Sequence, residues 1–515
     1  MKQLLLIATS ISILGIQSCS RMDDDTIDAS HQNSGSVLVK KAQTISIMEP
    51  TPYSKQKLDD VVVEAMRSKG DFRFENEGLF LTWSALQYGD QSLAVGYKPA
   101  HLGDIRPIIH EINIRTGEWK AVHDALIQFI IDEYKKSTGQ SIAWKDIVIE
   151  DDSVLPILTM RMSDKNVLTA LANLENVRYL EPLDYWPNQI ERSSSGCDNS
   201  TTAINSSDFS TISPAARLPW NFNSINVPTA WNTAQGQGIT IGVIDAGISS
   251  GQTLLGSQFQ NGLSTGRTIT TDYTLGTSAY TSCTHGTSMC GLAVGPRNDM
   301  NATTGVAYKS NLHFIRACDD VVLDGSAERT GVKNALVRMG DRAAVRIVSM
   351  SIGSPFYSSV LYDGVVYANN RGKLIFAAAG TSFSWTSWYG VVYPAYHSEC
   401  VAITGVKENS NTCASCHDGS QVDFTVPMER NTDSNRNSLS LKSSGTGPAY
   451  IGGSSCATAI TAGVAALVWS ARPSLTKTQV FNALRNTSQY YPSVNGSRGY
   501  GNINASAAVA AGLAF

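Results

Sequence analysis

The fold is decided by Tyr450-Ile451-Gly452-Gly453-Ser454-Ser455-Cys456-Ala457-Thr458-Ala459, which runs on as Ile460-Thr461-Ala462-Gly463-Val464-Ala465-Ala466-Leu467-Val468-Trp469. Two glycines deliver a serine into the first turn of an apolar, Ala-rich helix. The first N–H groups of a helix have no partner within it, and the dipole there favours negative charge. A serine at this point brings its hydroxyl and its own N–H beside an oxyanion formed by attack on a carbonyl. The same residues would also serve as an ordinary helix cap. The choice rests on whether a base and an orienting carboxylate stand elsewhere in the chain.

Of the eight histidines, His31, His101, His110 and His123 precede the region that alternates strand and helix. Among the other four, His285 opens Thr284-His285-Gly286-Thr287-Ser288-Met289-Cys290-Gly291, a second helix start with small residues that leave the imidazole approachable. Asp245 closes the continuous apolar run Ile239-Thr240-Ile241-Gly242-Val243-Ile244 and is followed by Ala246-Gly247. Such a run reads as a buried parallel strand, and open α/β sheets place their sites at the carboxyl ends of strands. A base, a carboxylate and a nucleophile are therefore all present, in the order Asp245, His285, Ser455.

Asp-Ala-Gly after a strand, His-Gly-Thr opening a helix and Gly-Ser-Ser-Cys-Ala opening another resemble the three signature blocks of the subtilisin-like serine proteases (subtilases), which share this residue order. Further landmarks of that family are similar to Leu218-Pro219-Trp220, Ala230-Trp231, Gly305-Val306-Ala307, Ser349-Met350-Ser351-Ile352-Gly353, Tyr393-Pro394-Ala395, Asp423-Phe424-Thr425-Val426-Pro427 and Gly499-Tyr500-Gly501-Asn502-Ile503-Asn504. The likeness runs from about Leu218 to the C-terminus. It implies an α/β fold, a subtilisin-like doubly wound parallel sheet with helices on both faces, and hydrolysis of peptide bonds in protein or peptide substrates through an acyl-enzyme. A serine hydroxyl is a poor nucleophile until a neutral imidazole takes its proton, which would be the work of His285, oriented by Asp245.

The resemblance also implies substrate-binding segments, Ser351, Ile352 and Gly353 on one side and Ala378, Ala379 and Gly380 on the other, with extended peptide pairing between them. The oxyanion hole would be formed by Thr381, Ser454 and Ser455. Here the chain departs from the family, which normally carries Asn where this sequence has Thr381. Losing that donor from such a site costs roughly 10²–10³ in turnover. The alternative to an ordinary endopeptidase is therefore a slow or self-processing relative, or a binding pseudoprotease. Milder departures are Ala246 in the Asp block and, separately, Ala459, which stands where the family usually has Pro.

The N-terminus reads as an export signal. Met1-Lys2 precedes an apolar run from Leu4 to Ile16, too short to span a bilayer, and then Gln17-Ser18-Cys19. Residues 1–19 resemble a bacterial lipoprotein signal with Cys19 as the lipidated residue. Residues 20–36 form a polar tether whose Asp23-Asp24-Asp25 resembles the surface-export signals of Bacteroidetes-type lipoproteins. An exported outer-membrane lipoprotein follows, on the periplasmic face or the cell surface, attached to membrane by the lipid alone. No other apolar run reads as a membrane span.

Over 515 residues the charged fraction is 16% and the net charge −4, which gives no polyanion-binding surface and no sign of nucleic-acid binding. Cys19 aside, eight cysteines remain, an even number that permits disulfides in an exported chain. Cys413 and Cys416 form a candidate local pair, Cys197 a candidate tie for a linker, and Cys290 and Cys456 read as buried apolar side chains. Cys413-Ala414-Ser415-Cys416-His417 also fits a haem-attachment pentapeptide, a third class against which the hydrolase landmarks argue. No cofactor is required by the expected chemistry. Subtilases often hold structural Ca²⁺, but no calcium-loop pattern gives it a position here, and no metal ligand is assigned.

Residues 37–187 carry their own periodicities. Helices are expected over 55–68 and 119–136, where Leu126, Phe129, Ile130 and Tyr134 share a face. A strand over 155–162, a helix capped by Ser163 and a returning strand at 177–180 resemble the close of a subtilase propeptide, which implies an intramolecular inhibitor. Residues 188–217, rich in Ser, Thr and Asn, read as an exposed linker that would contain the maturation site. Residues 218–515 form the peptidase domain, with strands at 239–245, 312–317, 344–349, 374–378 and 401–406. Its helices fall at 285–294, 331–339, 357–369, 455–470 and 477–486, the last capped by Ser474.

Overall fold

Seven parallel strands in the order β13-β12-β11-β10-β7-β9-β8 form the central sheet of this computed structural model, which describes residues 37–190, 196–197, 200–381 and 390–515. The strands are β7 (Thr240–Asp245), β8 (Ile269–Tyr273), β9 (Asn311–Arg316), β10 (Val345–Met350), β11 (Leu374–Ala378), β12 (Cys400–Lys407) and β13 (Phe424–Glu429). Every residue of β7 and β11 is buried, as a parallel sheet covered on both faces requires. The helices His285–Val294 and Gly453–Ala471 pack into the core on one face, together with Ile241, Val243, Phe376 and Ile403. The helices Ser326–Asp341 and Ser359–Asn370 cover the other, against Ile244, Val348 and Ile375.

Gly453–Ala471 is long and apolar enough to cross a membrane by composition, contrary to the expectation that no such run follows the N-terminus, yet it is buried in the centre of the protein. Its apolar character serves a core. The signal, Cys19 and the tether lie outside the described residues.

Residues 38–190 build a second sheet, antiparallel, in the order β2-β3-β1-β4. Its strands are β1 (Ser92–Tyr97), β2 (Val148–Asp151), β3 (Ile157–Arg161) and β4 (Val177–Pro182). The helices Gly117–Thr138 and Lys165–Ala172 cover one face, with Leu126, Ile130, Val167 and Leu171 in a common core. Lys165–Ala172 is capped by Asp164, whose carboxylate accepts from the N–H groups of Asn166 and Val167, and not by Ser163. The cap of Lys477–Asn486 likewise shifts from Ser474 to Thr476, which forms a reciprocal capping box with Gln479.

The two sheets belong to one compact unit, Leu38–Phe515. The other face of the antiparallel sheet lies on the helices Ser326–Asp341 and Ser359–Asn370. Asp363, fully buried, accepts from both terminal nitrogens of Arg178 at 2.8 Å, from Nε of Arg106 at 3.0 Å and from the hydroxyl of Tyr179 at 3.0 Å. Lys333, also fully buried, pairs with Glu150 at 2.8 Å and with Asp152. Both helix N-termini are closed from the end of β4: Glu181 accepts from the Val360 N–H at 3.1 Å, and Asp184 from the Ser326 N–H at 2.6 Å.

The expected linker is only partly a linker. Its C-terminal part forms a hairpin, β5 (Phe209–Ile212) with β6 (Ala216–Pro219), and Asp208 is buried under Arg430, Arg436 and the Tyr450 hydroxyl. Composition missed this because a single buried carboxylate with two guanidinium partners organises a Ser-rich segment without apolar periodicity. At the other end, Asn188 and Gln189 are tied to Asp59 and Asp60, and Ile190 is buried beside Phe356.

Candidate active site

Asp245 ends β7 with its carboxylate fully buried. Its Oδ1 accepts from the Ala246 N–H at 2.8 Å and faces Nδ1 of His285 at 2.8 Å, with Oδ2 at 3.0 Å from the same nitrogen. His285 is the first residue of its helix and only 3% exposed. With Nδ1 donating to the carboxylate, Nε2 is the nitrogen left to accept a proton. The charge of Asp245 is felt across the cluster: after burial, it is what pushes the thiols of Cys290, Cys318 and Cys456 up. All three are buried free cysteines, with no thiolate chemistry available to them.

Ser455 sits in the first turn of Gly453–Ala471, partly buried. Its hydroxyl donates to the Ser351 carbonyl at 3.3 Å, and the Ser351 hydroxyl donates to the Ser455 carbonyl at 2.9 Å. Among the described residues no hydrogen bond joins Ser455 Oγ to His285. Gly453 holds φ at +78°, and a Cβ there would stand 2.6 Å from Oγ1 of Thr381, so the turn before Ser455 needs glycine twice over.

The oxyanion residues expected from sequence are brought together. Ser454 is fully buried; its hydroxyl accepts from the Gly380 N–H at 3.1 Å and lies 3.4 Å from the Thr381 hydroxyl. One cleft is lined by Ser351, Ile352, Gly353, Ala378, Gly380, Thr381, Ser454 and Ser455. Ala379 does not line it. Its backbone pairs with Ile403 and Val392, and its side chain is buried in the core, because alternate residues leaving β11 point to opposite sides. Sequence reading missed Val321, Val322, Ser354, Pro355 and Val392, which complete the wall. Val322 is placed by pairing with Gly353, a long-range bridge that no local pattern announces.

The chain leaving β4 crosses this region. Trp186 packs edge-on to Phe356, three residues beyond Gly353. Further on, a Cβ on Gly196 would stand 3.3 Å from Cδ2 of His285, and the Cys197 carbonyl accepts from the N–H and hydroxyl of Thr284 at 3.0 and 2.6 Å. Cys197 is disulfide-bonded to Cys283.

Residues 236–502 match the model of the subtilase family of serine peptidases. The chain belongs to that family. It is 30% identical over 203 residues to thermitase of Thermoactinomyces vulgaris, an overlap of 39% of this chain and 67% of that one. To subtilisin Savinase of Lederbergia lenta it is 28% identical over 299 residues, covering 57% of this chain and 99% of the relative. Among solved structures, MycP1 from Mycobacterium smegmatis aligns over 59% of this chain and 87% of its own at 20% identity, with a TM-score of 0.47. This subtilase is a serine endopeptidase.

No group of three His, Cys, Asp or Glu side chains converges to hold a metal among the described residues. Cys413 and Cys416 form a disulfide, which removes both thiols that covalent haem attachment would use.

Proposed function

We propose that this subtilase cleaves peptide bonds with Ser455 as nucleophile, His285 as general base and then acid, and Asp245 as the group that holds the imidazole and stabilises its cation. The observation that carries the assignment is the buried Asp245–His285 pair at 2.8 Å, at a strand end beside the helix start that holds Ser455. The Ser455 hydroxyl turns from the Ser351 carbonyl to the imidazole when substrate enters, gives up its proton and forms the acyl-enzyme. Catalytic hydrogen bonds often tighten only in the substrate complex. The Ser455 N–H, at the helix start, and the hydroxyls of Ser454 and Thr381 face the developing oxyanion. Peptide lies extended between Ser351-Ile352-Gly353 and the strand end at Ala378 and Gly380.

The module formed by residues 38–190 acts as a propeptide, chaperone and inhibitor in one. Support comes from Glu181 and Asp184, which close helix N-termini of the peptidase, and from the placement of Trp186 on Phe356 and of Gly196 beside His285. Maturation cuts the chain between Ile190 and Asn205, the stretch between the two anchored ends. Export as an outer-membrane lipoprotein through Cys19 completes the reading, on the sequence features of residues 1–36.

The experiment is fluorophosphonate labelling with intact-mass measurement of wild type and Ser455→Ala. Wild type labels at Ser455 and loses its N-terminal module; Ser455→Ala does neither. A wild type that does not label overturns the protease assignment, and a Ser455→Ala protein that is still processed overturns self-cleavage. For the anchor, a Cys19→Ala protein that still partitions with membranes would remove the idea. Binding without hydrolysis remains the second reading, favoured only by the Thr381 hydroxyl standing where the family carries an amide.

A further inference from the structure

The pentapeptide Cys413-Ala414-Ser415-Cys416-His417 takes no part in the steps above, yet it ends against the oxyanion segment. The Cys413–Cys416 disulfide closes a short loop. Cys416 then pairs as an antiparallel bridge with Thr381, and the His417 N–H donates to the Gly380 carbonyl at 2.9 Å. This added strand is pinned from behind. The Thr404 hydroxyl on β12 donates to the His417 carbonyl, and Glu429 on β13 accepts from the Ala414 N–H at 2.8 Å.

The imidazole of His417 is buried, 4% exposed, and burial is the main reason its pKa falls below the ordinary histidine value, leaving it neutral. Its Nδ1 lies 3.0 Å from the Gly390 carbonyl, an acceptor, so Nδ1 carries the proton and donates. The ring presses on Gly380, where a Cβ would stand 2.5 Å from Nδ1 and 3.0 Å from Cγ, and where φ is +123°. Gly380 in turn donates its N–H to Ser454, the residue before the nucleophile.

We propose that His417 is a positioning residue for the hydrolytic site. It fixes the backbone of Gly380 and Thr381 against Ser454, and the Cys413–Cys416 disulfide holds it in that place. The inference rests on the protease reading given under Proposed function. The chain of contacts is short and directional: disulfide to strand, strand to oxyanion segment, oxyanion segment to the hydroxyl beside Ser455. A hydrogen-bond donor facing an oxyanion works only when its geometry is fixed before the reaction, so loosening its support lowers turnover more than binding.

The test uses the full chain as it matures, with active sites counted by fluorophosphonate. His417→Leu keeps apolar volume and removes the donor to Gly390. Its kcat on a chromogenic peptide anilide is expected to fall roughly 10- to 100-fold, with KM changed less than about threefold. His417→Asn, which retains an N–H near Nδ1, restores most of kcat. The double variant Cys413→Ser with Cys416→Ser lowers kcat in the same direction. If wild type labels and hydrolyses while kcat of His417→Leu per labelled site is unchanged, or its KM rises as much as kcat falls, the proposal is overturned alone. A wild type that neither labels nor hydrolyses overturns it together with the protease reading. Should His417→Leu fail to fold, the double cysteine variant decides, and an unchanged kcat there overturns the proposal.

Discussion

The hydroxyl of Ser455 points at the carbonyl of Ser351, 3.3 Å away, and not at the imidazole of His285. In the proposed mechanism the base is already oriented by Asp245, while the hydroxyl of the proposed nucleophile rests on the wall of the cleft. By the same mechanism this hydroxyl leaves the Ser351 carbonyl before its proton passes to His285. Ser455→Ala or His285→Ala should each lower kcat by roughly 10⁶-fold, and the double variant by little more, because the residues act as a unit. Peptide-anilide hydrolysis by the three purified variants checks it; losses that multiply would contradict a shared proton path.

Thr381 tests the oxyanion side. Its hydroxyl stands 3.4 Å from that of Ser454, closer to the backbone than an amide at the end of an Asn side chain would reach. Thr381→Val should lower kcat at least 10-fold, by analogy with the roughly 10²–10³ lost when an oxyanion donor is removed. Thr381→Asn should raise it. A steady-state comparison at constant active-site concentration reads both, and an unaltered Thr381→Val would place the hydroxyl outside the reaction.

Away from Ser351, Ser354, Thr381, Ser454 and Ser455 the cleft wall is apolar, with Val321, Val322, Ile352, Pro355, Ala378 and Val392. Peptides with an apolar residue before the scissile bond should be cut faster than those with Arg or Glu there, since a charge would be buried without a partner. A small panel of anilide substrates that differ only at this position is enough.

Asp363 is a partner shared by Arg106, Arg178 and Tyr179 across the contact between the two sheets. Removing one member of a buried ion cluster leaves the others uncompensated, at a cost of about 3–5 kcal/mol. Asp363→Ala in the uncleaved Ser455→Ala chain should therefore shift the denaturant midpoint downward by a corresponding amount. A shift no larger than that of an exposed substitution would show that the contact contributes little.

Glu181 gives the contact a pH dependence. Burial, partly opposed by Arg329, Ser358 and the Val360 N–H and reinforced by Glu75, pushes its carboxyl up from 4.5 to about 7. The docked form therefore holds a proton that the undocked form releases. The stabilisation is complete below pH 4.5 and is lost progressively as pH rises to about 7, by about 3 kcal/mol at most. Denaturant unfolding of Ser455→Ala across that interval, against the same chain with Glu181→Gln, should show a smaller fall without Glu181; Asp423, which burial also pushes up to about 7, contributes to both chains alike.

The elements that carry the candidate site were legible because they rest on local signals. A continuous apolar run announces β7, and small residues with a helix-opening Ser or His announce the two helices of the site. Edge strand β8 was not legible, since Ile269-Thr270-Thr271-Asp272-Tyr273 is largely exposed and carries no apolar period. The helix Ala505–Ala514 escaped for the opposite reason, a run of Ala without contrast between faces. Ser163 and Ser474 were read as caps from residue type alone, while Asp164 and Thr476 hold the positions from which a side chain reaches the free N–H groups. The wall residues Val321 and Val322 and the support from His417 depend on contacts between distant strands. Sequence gives the participants of such contacts without the pairing.

The bridge between Cys197 and Cys283 spans 86 positions and fastens Cys197 to the chain two residues before His285. It makes the outcome of proteolysis depend on which side of Cys197 is cut. A nick upstream liberates the N-terminal module as a separate polypeptide and leaves a short stub fastened beside the imidazole. A nick downstream yields two chains that travel together until a reductant parts them, so that one peptide bond chooses between a module cast off and a module kept on a leash.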